Sequence, residues 1–123
     1  MLKGFLFVGV GGAVGSMARY GIGVLMGKYF PQPYPHATFL INIIGCFIIG
    51  ILFGFGNKYN VIPGTWWLVL ATGFCGGFTT FSSFALENIN LMRGGQNVTA
   101  FLYTALSVIA GLALCRLGIE LVK

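Results

Sequence analysis

The sequence predicts an all-α membrane protein in which four transmembrane helices form a single domain over residues 1–123, with the third helix broken. Composition, length and one motif carry that prediction. Hydrophobic residues make up 57% of the chain and charged residues 7%, with a mean hydropathy of +0.90. A chain of this kind cannot bury its own apolar surface, so its solvent is lipid. With 123 residues and about 20 needed per spanning helix, there is room for four spans and three short loops but no soluble domain. The apolar runs place the spans at roughly 4–26, 37–55, 65–92 and 98–122.

The motif lies in the third span: Gly73-Phe74-Cys75-Gly76-Gly77-Phe78-Thr79-Thr80-Phe81-Ser82-Ser83-Phe84. Tandem glycines are the residues least committed to helix. The hydroxyls after them can satisfy freed backbone groups or cap a second half-helix. The pattern predicts a break at Gly76-Gly77. Such a break at membrane depth is tolerated only where it is buried in protein or lines a wet cavity, which marks this stretch as the functional centre.

The first span opens with Lys3 and a short apolar core, as a signal peptide would. Its hydrophobic run continues past Arg19 to Met26, however, and three more spans follow, so it reads as a membrane helix. Gly11 and Gly15, then Gly23 and Gly27, are small residues four apart, a spacing that lets helix backbones approach. Gly9-Val10-Gly11-Gly12 lacks the preceding strand and third glycine of a dinucleotide loop. Arg19 is a charge well inside an apolar run, where charges face protein or water. It snorkels from a span that ends early, or stands at an aqueous vestibule, or anchors carbonyls at a helix end.

Between the first two spans, Pro31, Pro33 and Pro35 forbid a helix, and the flanking aromatics suit an interfacial belt. The single histidine, His36, sits at that boundary without Cys, Asp or Glu beside it and reads as an interfacial residue, not a ligand. In the second span Thr38 and Asn42 lie one helical turn apart, with Gly45 next on the same side. Asn42 either glues two helices together or lines a polar path with Thr38. Gly50 and Gly54 offer another close-packing face, and Pro63-Gly64 marks a turn.

Trp66-Trp67 anchors the start of the third span at the interface. Beyond the break, Phe81 and Phe84 share one helix face and Glu87 follows three residues later. In the fourth span Thr99, Tyr103 and Ser107 recur every four residues as a polar stripe that Gly111 continues without a side-chain donor. Cys46, Cys75 and Cys115 sit in separate apolar segments without metal-like spacing and read as small buried hydrophobes. The Asn97-Val98-Thr99 sequon reads as a chance match.

The net charge of +5 arises from seven Lys and Arg against Glu87 and Glu120. The basic residues are scattered among segment ends and form no nucleic-acid footprint. With alternating loops, Lys3, Lys58, Arg116 and Lys123 share one side, and Lys28 and Arg93 the other. That positive-inside bias is weak. Near-balanced flanks permit insertion in both orientations and hence an antiparallel, dual-topology homodimer, a non-covalent counterpart of the inverted repeats of many transporters.

Taken together, Gly11 through Tyr20, Thr38 through Asn42 with Gly45, and above all Gly73 through Phe84 resemble the Fluc/CrcB fluoride channel family over nearly the whole chain. The resemblance implies a dual-topology homodimer with two fluoride pores that exports fluoride passively across the cell membrane. It implies that Phe81 and Phe84 present ring edges to the ion, that Asn42 lines the pore, and that Thr38, Ser83, Tyr103 and Ser107 supply polar contacts. Arg19 would stand at the vestibule and Glu87 beyond the phenylalanines. A sodium ion at the dimer centre would be held by backbone carbonyls of Gly76 and Thr79, with no organic cofactor. Ala37 stands where the family usually has glycine, Ser83 where threonine is common, and Gly111 where some members have serine. The residues themselves fit an anion path, since neutral hydroxyls, an amide and positive ring edges replace water around a small anion without trapping it. A small multidrug transporter of four spans is the alternative, but its proton-coupling glutamate has no counterpart in the first span. No histidine or carboxylate stands near a nucleophile, so the chain does not read as an enzyme.

Overall fold

The computed structural model describes residues 1–31, 34–59 and 62–122. Pro33 and Lys123, invoked above, lie outside them. The described residues form helices and short connections. Helix α1 spans Leu2–Tyr29, α2 His36–Tyr59, α4 Phe81–Arg93 and α5 Asn97–Val122. Residues 64–78, here α3, form one continuous helix that changes winding along its length. It starts as α-helix at Gly64–Trp67, widens to π-helix over Leu68–Cys75 and returns to α-helix at Gly76–Phe78. With α3 and α4 counted as one span (Gly64–Arg93), four helices are long and apolar enough to cross a membrane. The chain is thus a multi-pass integral membrane protein.

The break does not fall at Gly76-Gly77. Gly76 keeps right-handed helical angles (φ −63°, ψ −38°), and the chain becomes extended only at Thr79 (φ −84°, ψ 159°) and Thr80 (φ −149°, ψ 123°). A tandem glycine weakens a helix but does not end one when packing rewards the missing side chains, and Gly77 is rewarded in this way. A β-carbon there would lie 2.5 Å from the Gly12 carbonyl oxygen.

Glycine contacts also set the helix pairing. On α1, a methyl group at Gly11 would overlap the Val69 carbonyl and one at Gly15 the Phe74 carbonyl, so α1 and α3 pack backbone to backbone. The contacts advance together along both helices, which therefore run parallel. The second parallel pair is α2 and α5, where Gly50 meets the Cys115 backbone, Gly118 the backbone near Phe47 and Ile51, and Gly54 the Ile119 backbone and the Val122 side chain. In contrast, Gly23 and Gly27 meet nothing within 4 Å among the described residues, so their spacing serves no contact there. Few large side chains are buried, among them Ile41, Phe78, Leu91 and Tyr103.

Gly11→Ala should therefore cost about 1–3 kcal/mol, since a rigid carbonyl occupies the space a methyl group needs. Gly23→Ala should be neutral or stabilising by up to about 1 kcal/mol, because helix propensity alone changes there. Thermal unfolding of the purified variants in detergent checks the pair, and equal midpoints would contradict this account of the packing.

Candidate functional site

The break between α3 and α4 is held by side chains from α1 and α2 and by its own two threonines. Asn42 on α2 donates from Nδ2 to the Thr80 carbonyl at 3.1 Å, and its Oδ1 accepts the Thr80 N–H at 2.9 Å. Both backbone groups of the extended residue are thereby satisfied, as membrane depth demands. Thr80 in turn caps α4, its Oγ1 accepting the Ser83 N–H at 3.2 Å and lying 3.3 Å from the Ser82 hydroxyl. On the other side of the break Thr79 folds back, with its hydroxyl donating to the Cys75 carbonyl at 2.9 Å and its N–H to the same oxygen at 3.0 Å.

These bonds decide what happens to the last carbonyls of α3. The Gly76 carbonyl loses its ordinary helical donor, the Thr80 N–H, because that group is spent on Asn42. The Gly77 carbonyl receives Arg19 Nε at 3.1 Å and the Ser16 hydroxyl at 3.5 Å. Of the readings open for Arg19, this geometry is that of a helix-end anchor: a cation set against the negative end of α3. Arg19 also borders a groove of about 340 Å³ with Thr38, Thr80 and Ser83. For Asn42 the geometry is that of helix-to-helix glue, with the backbone of the break as its partner.

Beyond the break, Glu87 draws two further helices together. Thr38 donates to its Oε2 at 2.9 Å and Tyr103 to its Oε1 at 3.0 Å. The Tyr103 ring lies 5.0 Å from Phe84 and the Phe84 ring 5.8 Å from Phe81, at tilts of 53° and 40°. Thr38, Phe84, Glu87 and Tyr103 thus form one contiguous cluster that continues to Phe81. Phe81 is 78% exposed and faces out of the chain. It borders an open groove of about 430 Å³ shared with Asn42, Gly76, Thr79 and Thr80. Glu87 also lines a groove of about 320 Å³ at the α4–α5 turn, with Asn90, Gly94 and Gln96. Ser107, one turn beyond Tyr103, has its hydroxyl oxygen enclosed without a hydrogen-bond partner among the described residues. Thr99 lines a further groove with Pro35, His36, Phe39 and Tyr103.

The sequence reading passed over three residues. Buried Asn88 donates to the Phe84 carbonyl at 3.1 Å and accepts from the Thr104 hydroxyl at 3.0 Å, so it clamps the turn that carries Phe84 onto α5. Ser16 joins Arg19 on Gly77. A polar amide in an apolar run was the available signal for Asn88, since such a group needs partners. Among the described residues no group of His, Cys, Asp or Glu is placed to hold a metal ion.

Residues 6–119 match the family described as CrcB-like protein, Camphor Resistance (CrcB). The chain is 41% identical to a fluoride-specific ion channel FluC of Flavobacterium psychrophilum, over 99% of this chain and 98% of the relative. A protein of the same name from Gloeothece citriformis is 48% identical over 96% of this chain and 95% of its own length. The corresponding figures for the fluoride-specific ion channel FluC 1 of Bacillus cereus are 36%, 95% and 85%.

The Asn42 clamp makes a direct prediction. Asn42→Ala leaves the Thr80 N–H and C=O unpaired and should destabilise the folded protein by about 1–3 kcal/mol. Asn42→Asp keeps one acceptor for the N–H and should fall between wild type and Ala. Thermal midpoints in one detergent give the order, and a wild-type midpoint for Asn42→Ala would remove the clamp from the account.

Proposed function

The chain belongs to the CrcB-like family, and from that membership we propose that it is a fluoride-specific ion channel, lowering cytoplasmic fluoride by passive export across the cell membrane. The observation that carries the reading is the run from Phe81 through Phe84 to Tyr103, Thr38 and Glu87, in which tilted aromatic rings adjoin two hydroxyls, both oriented by the Glu87 carboxylate, just beyond a helix break. Fluoride gives up hydration only where donors replace it. Hydroxyls and ring edges do so without the full charge that would hold the ion in place. Ser83 and Ser107 extend the donors on either side, and Asn42 holds the break in the conformation that aims Phe81 and Phe84.

The working unit we propose is an antiparallel homodimer. A single copy leaves Phe81 exposed on an open groove with Asn42, Thr79 and Thr80, and a pathway through such a face needs a second wall. The near-balanced loop charges favour pairing of oppositely oriented copies. The same groove exposes Gly76, and the donor withdrawn from its carbonyl suits a hard cation at a helix C-terminal end. Gly76 and Thr79 carbonyls from two copies would hold sodium there; the ion's role is to join the two breaks. No step of anion transfer is assigned to it. Arg19 stands back from the path on the Gly77 carbonyl, adding positive potential to the vestibule without binding the ion directly.

Liposomes containing the purified protein should release fluoride and retain chloride. Phe81→Ile and Phe84→Ile should each lower fluoride flux at least about tenfold, a loss of about 1.4 kcal/mol at the barrier, while the dimer peak in size exclusion is kept. Wild-type flux in both variants, or equal fluoride and chloride release, overturns the reading. Two further outcomes concern assembly. Cysteine introduced at Lys58 should be labelled from both faces of the membrane, and replacing sodium by a large organic cation should weaken the dimer. One-sided labelling contradicts dual topology, and a dimer indifferent to sodium contradicts the cation site.

A further inference from the structure

Helices α2 and α5 run parallel in a fixed register. Thr38 and Tyr103 share Glu87, Gly111 packs on Cys46, Cys115 on Gly50 and Ile119 on Gly54, a constant offset of 65 residues. Steps of four keep side chains on one helix face, so the same register sets Thr38, Asn42 and Cys46 opposite Tyr103, Ser107 and Gly111. These are three rungs of one ladder. The first two carry hydroxyls and an amide; the third has no side chain on α5.

The Cys46 thiol occupies that space. A β-carbon at Gly111 would lie 3.2 Å from its sulfur, a contact tight enough that side chains on both helices would compete for the position. Cys46 also borders the groove that holds Asn42, Thr79, Thr80 and Phe81. One turn before Gly111, the enclosed Ser107 oxygen lacks a partner among the described residues. Cys46 lies ten residues beyond the start of α2 at His36, about 15 Å along the axis and so near the middle of a hydrocarbon layer about 30 Å thick. A mid-membrane thiol beside a glycine gap and an unpaired hydroxyl is more than a filler of volume.

We propose that Cys46 is a functional residue of the anion path: its S–H is the third donor of the ladder, supplied from α2 in place of a side chain that α5 lacks at Gly111. This rests on the channel reading above. A thiol is a weak, polarisable donor. It contacts a passing fluoride while binding it loosely, as a conducting site requires. The ion then passes from Ser107 on α5 to Cys46 on α2 across the seam between the two helices.

The test is fluoride efflux from liposomes, normalised to folded dimer. Cys46→Ala should lower flux about threefold to tenfold, the scale set by one net hydrogen bond. Cys46→Ser should stay within about twofold of wild type, since it keeps a donor of similar size. In the double variant Cys46→Ala, Gly111→Ser, the freed space accepts a hydroxyl from the opposite helix, and flux should recover. If Cys46→Ala does not fold, Cys46→Val replaces it, filling the thiol's volume without a donor. Wild-type flux in Ala or Val overturns the proposal, as does a Ser variant as slow as Ala, which would mark a packing role. Absent fluoride flux in wild type itself would count against the channel reading, so the two failures are distinguishable.

Discussion

The structure depends on one side-chain pairing, that of Asn42 with the backbone of Thr80. An extended residue inside a membrane helix exposes an N–H and a C=O in a medium with no water to satisfy them, at a cost of several kcal/mol. An amide is the one neutral side chain that offers a donor and an acceptor side by side, so it can stand in for a neighbouring peptide group. At 2.9 and 3.1 Å it does so for both groups of Thr80. With that position fixed, Thr80 can cap α4, and α4 begins at Phe81 with its first turn aimed along the groove.

Consequences spread from the break through carbonyls and hydroxyls, not through charge pairs. The Thr80 N–H is withdrawn from Gly76, and the carbonyl of Gly77 is taken by Arg19 and Ser16, so α1 is fastened to the end of α3. On the far side Glu87 accepts one hydroxyl from α2 and one from α5, and Asn88 links the Phe84 carbonyl to Thr104. Phe84 is therefore held through its backbone as well as through its ring contact with Tyr103. Arg116 and Glu120, exposed and one turn apart on α5, form an ion pair. Such pairs contribute little, and inside the protein the two charged groups, Arg19 and Glu87, are met by neutral carbonyl and hydroxyl partners and not by each other.

Four helices were legible because hydropathy and length leave no other arrangement for this composition, and the break was legible in kind because hydroxyls cluster where an apolar run should continue. Its position was not legible. Intrinsic propensity points to Gly76-Gly77, but close backbone contact with α1 rewards a helical Gly77, while Asn42 compensates the extended backbone at Thr80. The same limitation applies to Gly23 and Gly27. Their spacing matches that of Gly11 and Gly15, yet among the described residues only the latter pair meets another helix backbone.

By itself the sequence determined the medium, the number of spans, the presence of a break and the polar residues set within the spans, because each of these follows from residue type and local spacing. Tertiary structure decided which of those residues meet. It gave Arg19 to the Gly77 carbonyl, divided Glu87 between Thr38 and Tyr103, and set α2 against α5 with the offset that brings Cys46 to Gly111. The physical reason is that a hydrogen bond or a glycine contact between distant segments depends on helix direction and register, and these are fixed by packing over the whole length of two helices. Local composition carries no measure of that sum.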